Sequence, residues 1–213
     1  MTNSMNLESA ISLCEEGNFS EAIPILLKLA NEGDVEAQHK LAVAYEDGTG
    51  VEKDLDAARH WYHLAAKRNY INSIFNLGQI YLHSQESKYR SIFKALYFCK
   101  KGTALGDAES QEVYDEIRAN FAEEGENASY VIDGFEFDCD DIHGAMYQII
   151  DDLAEEDRWS LLDFLQRKFF PETRVNRNRT ASEQISELTD GITWEQGLDY
   201  LIDIQSFVCD LDS

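Results

Sequence analysis

The chain has 213 residues, 44% of them hydrophobic and 11% aromatic, enough apolar side chain for one sizeable core or two small ones, which excludes a disordered tail. Its 41 acidic residues outnumber 18 basic ones, giving a net charge of −23, a balance that repels phosphate backbones and anionic lipid and favours a basic protein as partner over nucleic acid or membrane. No run reaches the roughly 20 apolar residues of a membrane helix, residues 1–18 lack a signal peptide's basic and apolar segments, and Cys14, Cys99, Cys139 and Cys209 form no CxxC pair, so the expectation is a cytoplasmic protein with reduced thiols.

The first half repeats itself. Ala22, Ala58 and Ala95 recur at intervals of 36 and 37 residues, and Ile25, Trp61 and Phe98 follow in the same register. Ala30, Ala66 and Thr103 form a third column, and Gly33, Asn69 and Gly106 a turn column. Leu41, Leu77 and Tyr114 extend the pattern, and Tyr45 pairs with Tyr81. Columns that hold small residues in some places and large ones in others are a packing register. Each period reads as two helices. From Glu36 to Tyr45, apolar residues at Ala37, Leu41, Ala44 and Tyr45 keep helical spacing. The loop Asp47-Gly-Thr-Gly50 ends that helix, because glycine takes the positive φ of a C-cap. A second helix covers Asp54 to Lys67, where small alanines admit close neighbours and Trp61 fills the remaining space. A single pair cannot bury its own apolar face, so stacked pairs must supply the core.

The stretch from Glu36 to Ala66 resembles a Sel1-like repeat: an Ala/Gln/Leu/Tyr helix, then Gly48-Thr-Gly-Val-Glu-Lys-Asp54, then Ala58-Arg-His-Trp-Tyr-His-Leu-Ala-Ala66. Residues 71–107 resemble a second unit that keeps Leu77, Gly78, Tyr81, Ala95, Gly106 and Asp107 but replaces the glycine loop with His83-Ser-Gln-Glu-Ser-Lys88. Residues 5–34 resemble a worn leading unit, and 107–122 a closing helix. The resemblance implies a short TPR-like α-solenoid used for protein–protein contact, without catalysis of its own.

The composition changes near Glu124-Gly125-Glu126-Asn127. Residues 1–124 hold 12 Lys/Arg and 20 Asp/Glu, whereas 125–213 hold 6 and 21. The expected division is therefore a solenoid over 1–124 and a small, acidic, mainly helical domain over 125–213. In the latter, Asp133-Gly134 between two β-prone runs, 130–132 and 135–137, marks a hairpin. Ile142, Ala145, Met146, Ile149, Ile150 and Leu153 form one helical stripe. A helix from about Arg158 to Phe170 follows, with Trp159, Leu162, Leu165 and Phe169 inward and Pro171 as its stop. Thr180-Ala-Ser-Glu183 and Thr193-Trp-Glu-Gln196 read as capping boxes for helices over 182–189 and 194–208. The fold class is mainly α.

Two charge clusters stand out. Asp138, Asp140 and Asp141 precede the stripe helix, where the macrodipole favours carboxylates. Asp151, Asp152, Glu155, Glu156 and Asp157 close it at the unfavourable end, at a cost of roughly a few tenths of a kcal/mol each. Those eight acids are the expected partner-docking residues, with a merely solvated face as the alternative. As metal ligands they fit poorly, since Asp138-Cys-Asp-Asp141 lacks the glycine and distal glutamate of a calcium loop. Arg167, Lys168, Arg174, Arg177 and Arg179 suit internal neutralisation better than a phosphate site. His60 and His63 share a helix face but have no third ligand spaced nearby, and read as surface residues. His143 near Asp140 and Asp141 has no nucleophile to serve. Neither GxSxG, a phosphate loop nor HExxH occurs.

The sequence thus predicts a non-enzymatic binding module without cofactor or metal, docking a basic protein through its acidic surface. An immunity- or antitoxin-like neutraliser of a toxin or nuclease-like enzyme is the narrowest form of that reading. Its alternatives are a Sel1-like scaffold or adaptor that holds a peptide or helix on the solenoid's concave face, and a metal-dependent hydrolase using the carboxylates of 138–157.

Overall fold

The computed structural model describes residues 2–86, 90–124, 129–132, 135–138, 150, 153–189 and 194–211. The first half consists of helices α1 (Thr2–Glu15), α2 (Phe19–Asn31), α3 (Val35–Asp47), α4 (Leu55–Lys67), α5 (Ile71–His83), α6 (Ile92–Ala104) and α7 (Ala108–Glu124). Strands β1 (Ser129–Ile132) and β2 (Phe135–Asp138) follow, then α8 (Glu155–Phe169), α9 (Ala181–Thr189) and α10 (Trp194–Leu211). Contacts group these into two compact units, Met1–Arg90 with Phe98–Glu112, and Ser91–Tyr97 with Val113–Ser213. Among the described residues, no helix is long and apolar enough to cross a membrane.

In the first unit each helix packs on the next, α1 on α2, α2 on α3, α3 on α4 and α4 on α5. The expected columns are the packing positions. Ala22 and Ala58 are fully buried, as are Leu41 and Leu77, and Ala95 is fully buried in the second unit. Trp61 and Tyr45 are half-buried and close the cluster of Ala10, Leu26, Leu29, Ala30, Ala37 and Leu41. The turn column is equally regular: Gly33, Asn69 and Gly106 all take positive φ, at 89°, 60° and 87°.

Caps and close approaches explain why the helices stop and turn where they do. Asp34 accepts a hydrogen bond from the Ala37 N–H at 2.8 Å, and Asp54 accepts one from Ala57 at 3.0 Å. Asp107 does the same for Ser110 at 2.9 Å. Each satisfies a donor that the first helical turn leaves open. The equivalent cap of α5 is Tyr70, which makes no such bond; its ring lies instead against His39, 5.1 Å between centroids. At the other end of α3, Gly48 is the left-handed cap at φ 74°. Gly50 is doubly constrained: its φ is 75°, and a Cβ there would stand 2.4 Å from Phe19 Cβ. The glycine loop therefore lets the chain lie directly on α2. A similar approach joins α6 to α7, where a Cβ on Gly102 would meet the Ser110 Cβ at 2.6 Å.

In the second unit, α9 and α10 pack on α8. Leu161, Leu162 and Leu165 of α8, Ala181 and Ile185 of α9, and Leu201, Ile202 and Ile204 of α10 are buried. The Phe169 and Tyr200 rings pack tilted with centroids 4.2 Å apart, and Arg118 of α7 reaches Asp199 of α10 at 2.7 Å. The Thr180–Glu183 capping box forms reciprocally, with Glu183 N–H to Thr180 Oγ1 at 3.2 Å and Thr180 N–H to Glu183 Oε2 at 3.3 Å. The expected hairpin is present as an antiparallel pair, Ser129 opposite Asp138 and Ile132 opposite Phe135. Its Asp133-Gly134 turn, the stripe helix apart from buried Ile150 and half-buried Leu153, and Thr193 of the second capping box lie outside the described residues.

Two expectations need correction here. The helix expected to begin near Arg158 begins at Glu155, so Glu155, Glu156 and Asp157 form its first turn. There the macrodipole favours carboxylates, so these three do not sit at a repulsive helix end. Trp159 and Phe169 are half-buried rather than inward. Trp159 instead carries the Arg177 guanidinium over its ring, 4.5 Å from the centroid, an arrangement in which cation and quadrupole attract.

Candidate functional site

The first helix of each pair, α3 and α5, exposes a face built from repeat-equivalent positions. Ser73, Ile74, Leu77, Ile80 and Tyr81 turn inward on α5, which leaves Asn72 and His83 exposed and Asn76 and Gln79 half-buried on the other side. Thirty-six residues earlier, α3 has half-buried Glu36, Lys40 and Val43 and exposed Asp47 in the same places. These positions follow the i, i+4, i+7 spacing of one helical face.

Beneath that face the repeats are joined by buried polar side chains. His39 is 8% exposed; its Nδ1 lies 3.0 Å from Ser73 Oγ, and Tyr62 and Tyr70 flank its ring. Burial, and then the nearby Lys40 charge, lower its pKa from 6.5 to about 4, so the ring is neutral near pH 7. Gln38 donates to the Ala30 carbonyl at 3.1 Å. Tyr62, fully buried on α4, donates its hydroxyl hydrogen to Glu46 Oε2 of α3 at 2.7 Å. The Tyr62 hydroxyl oxygen in turn accepts from Asn76 Nδ2 of α5 at 2.8 Å. Burial, and then the bond to Glu46, push the Tyr62 hydroxyl far above the ordinary phenol range, which keeps it a donor. On the other side of α4, Arg59 donates to Tyr81 Oη at 2.9 Å, and His63 Nε2 lies 3.2 Å from it.

Glu46 also faces a cavity of about 330 Å³. Lys53 and Leu55 enter it from the glycine loop and the start of α4, Gln79 and Ile80 from α5, and Glu86 from the segment after it. Among the described residues, Glu46 Oε1 accepts no hydrogen bond, and the side-chain amides of Gln79 and Gln85 make none.

A family model described as Sel1 repeat matches residues 35–70 and 71–107, the two periods whose caps, turn column and shared face are described above. Residues 35–107 are two Sel1 repeats. The chain is 28% identical over 124 residues to chitin synthase regulatory factor 2 of Schizosaccharomyces pombe, a span of 58% of this chain and 23% of that protein. It is 32% identical over 83 residues to a sel1-like repeat-containing protein, L21, of Acanthamoeba polyphaga mimivirus, covering 39% of this chain and 15% of that one. The chain thus spans less than a quarter of either relative's length. Among solved structures, a Sel1 repeat protein from Oxalobacter formigenes is similar at a TM-score of 0.48 and 22% identity, covering 52% of this chain and 45% of that chain. Stacked helix pairs of the Sel1 kind present an extended surface for protein–protein interaction.

Outside the Sel1 repeats, the eight expected docking acids are described only in part. Asp140, Asp141, Asp151 and Asp152 lie outside the described residues, and Asp138 ends β2. Glu155 and Glu156 are exposed on α8, with Glu155 3.8 Å from Arg158, and Asp157 is half-buried. His143 also lies outside the described residues. Three of the five basic residues pair with carboxylates of the same unit, and Arg167 donates to the Asp163 carbonyl at 3.0 Å. Lys168 meets Asp203 at 2.8 Å, Arg177 meets Asp163 at 3.2 Å, and Arg179 grips Glu187 with two bonds of 2.7 Å. His60 is exposed as expected, but His63 is not a surface residue: it is half-buried, with its ring 5.4 Å from Phe98. The reason lies in the next repeat, which brings Tyr81 and Phe98 onto that side of α4.

The sequence reading missed the Glu46–Tyr62–Asn76 chain and His39 altogether. The stripe Ala37, Leu41, Ala44, Tyr45 predicts one buried face for α3. A helix in mid-stack is covered from both α2 and α4, so Gln38 and His39 are buried too and find partners. The signal was present in the Trp-Tyr pair at 61–62, whose second ring carries a hydroxyl that a buried site must satisfy.

Proposed function

We propose that the chain is a non-enzymatic scaffold or adaptor whose Sel1 repeats hold a peptide or helix of a protein partner on the α3–α5 face. The observation that carries this reading is the pair of stacked repeats at 35–107. Repeat-equivalent positions face one side, and the buried polar bonds of His39 and Tyr62 hold them in register. A surface fixed in this way loses little conformational entropy when a partner docks. The 28%-identical relative is named as a regulatory factor, in keeping with action through binding.

The acidic residues of 138–157 supply a second reading, supported by the charge of 125–213, 6 basic against 21 acidic side chains. They steer a basic protein partner, of which a toxin or nuclease-like enzyme is one class, raising the encounter rate at low salt. One experiment separates the two. The partner is captured from the native host with the wild-type chain, with Lys40→Glu/Asn72→Arg on the repeat face, and with charge reversal at Asp151, Asp152, Glu155 and Glu156. The scaffold reading expects capture to be lost only in the repeat-face variant. Loss only in the charge-reversal variant, with strong salt dependence, would transfer the docking role to the acidic half.

A further inference from the structure

From the cavity beside Glu46 we infer that the junction of the two Sel1 repeats carries a socket for a single arginine side chain of the bound partner. This inference deepens the scaffold reading and rests on it. Three features of the cavity specify the occupant. The first is an oriented carboxylate: Glu46 is fixed by the hydroxyl of fully buried Tyr62, which Asn76 fixes in turn, while its Oε1 accepts no hydrogen bond among the described residues. A guanidinium presents parallel N–H groups that match a carboxylate held in this way.

The second is an apolar wall. Leu55 and Ile80 line the same cavity, and long basic side chains lay their methylene stems along such surface while the head reaches charge. The third is the supply of neutral acceptors. Gln79 and Gln85 line the same cavity, and their amide carbonyls are the neutral acceptors that a planar head with five donors needs and a small cation does not.

The charge balance agrees. Glu46 and Glu86 oppose Lys53 in the lining, to which His83 also contributes, and residues 1–124 hold 20 acidic against 12 basic side chains. The volume of about 330 Å³ accommodates one side chain and not a folded element. Recognition is therefore of one basic anchor in a longer segment that runs across the α3–α5 face.

The test uses the full ¹⁵N-labelled chain and two blocked tripeptides, acetyl-Gly-Arg-Gly-amide and its citrulline counterpart, which keeps the shape and loses the charge. The arginine peptide is expected to shift the backbone signals of Gln79, Ser84 and Gln85 and the side-chain amide of Gln79. A Kd of about 1 mM is the scale appropriate to one side chain. The citrulline peptide should bind at least about tenfold more weakly, one charge-assisted contact being worth that much. Glu46→Gln keeps the size of the side chain and should abolish the shifts while the rest of the spectrum stays in place. Equal shifts with citrulline, unchanged binding by Glu46→Gln, or no cavity shifts with the arginine peptide at about 10 mM would overturn the socket. If the peptide fails while partner capture still depends on Lys40 and Asn72, the scaffold reading stands and only the socket falls.

Discussion

Replacing Gly50 by alanine should be among the most damaging single-methyl additions in the molecule. At φ 75° an alanine pays roughly 1–2 kcal/mol for the left-handed region. In addition its Cβ would sit 2.4 Å from Phe19 Cβ and 3.2 Å from Ile23 Cγ1. Phe19 Cβ is anchored to the α2 backbone and cannot swing aside, so the loop must lift off α2, an overpacking penalty of about 1–3 kcal/mol. The sum is about 3 kcal/mol, or roughly 8 °C in Tm for a chain of this size. Gly17 provides the control, since its φ is 79° but nothing lies within 4 Å of a Cβ there. Gly17→Ala should therefore show only the backbone part, about 1 kcal/mol and roughly 3 °C. Urea and thermal unfolding of both variants, followed by circular dichroism, measure the difference. Equal losses in the two would refute the close approach of the glycine loop to α2.

His39 and Asp34 give two further predictions. The pKa of His39 is lowered to about 4 in the folded chain against 6.5 in the unfolded one, so between those values the unfolded chain binds the extra proton and stability falls as pH falls. From pH 7 to pH 5 this linkage removes about 2 kcal/mol. His39→Gln, compared with wild type by urea unfolding at both pH values, should flatten that part of the slope; an unchanged slope would show that the ring is not buried neutral. Asp34→Ala removes the 2.8 Å cap on Ala37 and should cost about 1 kcal/mol, read as a Tm loss of roughly 2–4 °C. A loss near zero would mean that water replaces the cap.

The repeat was legible because its residues answer to volume and backbone angle. Alanine recurs where helices touch, as at Ala22, Ala58 and Ala95, and positive φ recurs at Gly33, Asn69 and Gly106, so the register could be read without knowing the fold. The start of α8 was not legible for the opposite reason. Its N-cap is Ala154, which makes no side-chain capping bond, and the acids of its first turn read equally well as the tail of the preceding segment. His63 was misplaced because one repeat does not reveal what its neighbour brings. The rings beside it belong to Tyr81 and Phe98, 18 and 35 residues further along. The Glu46 site stayed hidden for a related reason, since its three members come from three helices and form no motif in any one of them.

The hydroxyl of Tyr62 holds Glu46 on one side and Asn76 on the other. A pull on the carboxylate is thus shared at once by three successive helices rather than borne by one side chain. The cost of small displacements rises steeply for such a linkage, because stretching one bond misaligns the other. The stack should accordingly behave at this point as a stiff joint, and tension applied through Glu46 would change the pitch between neighbouring hairpins before it moved any single rotamer.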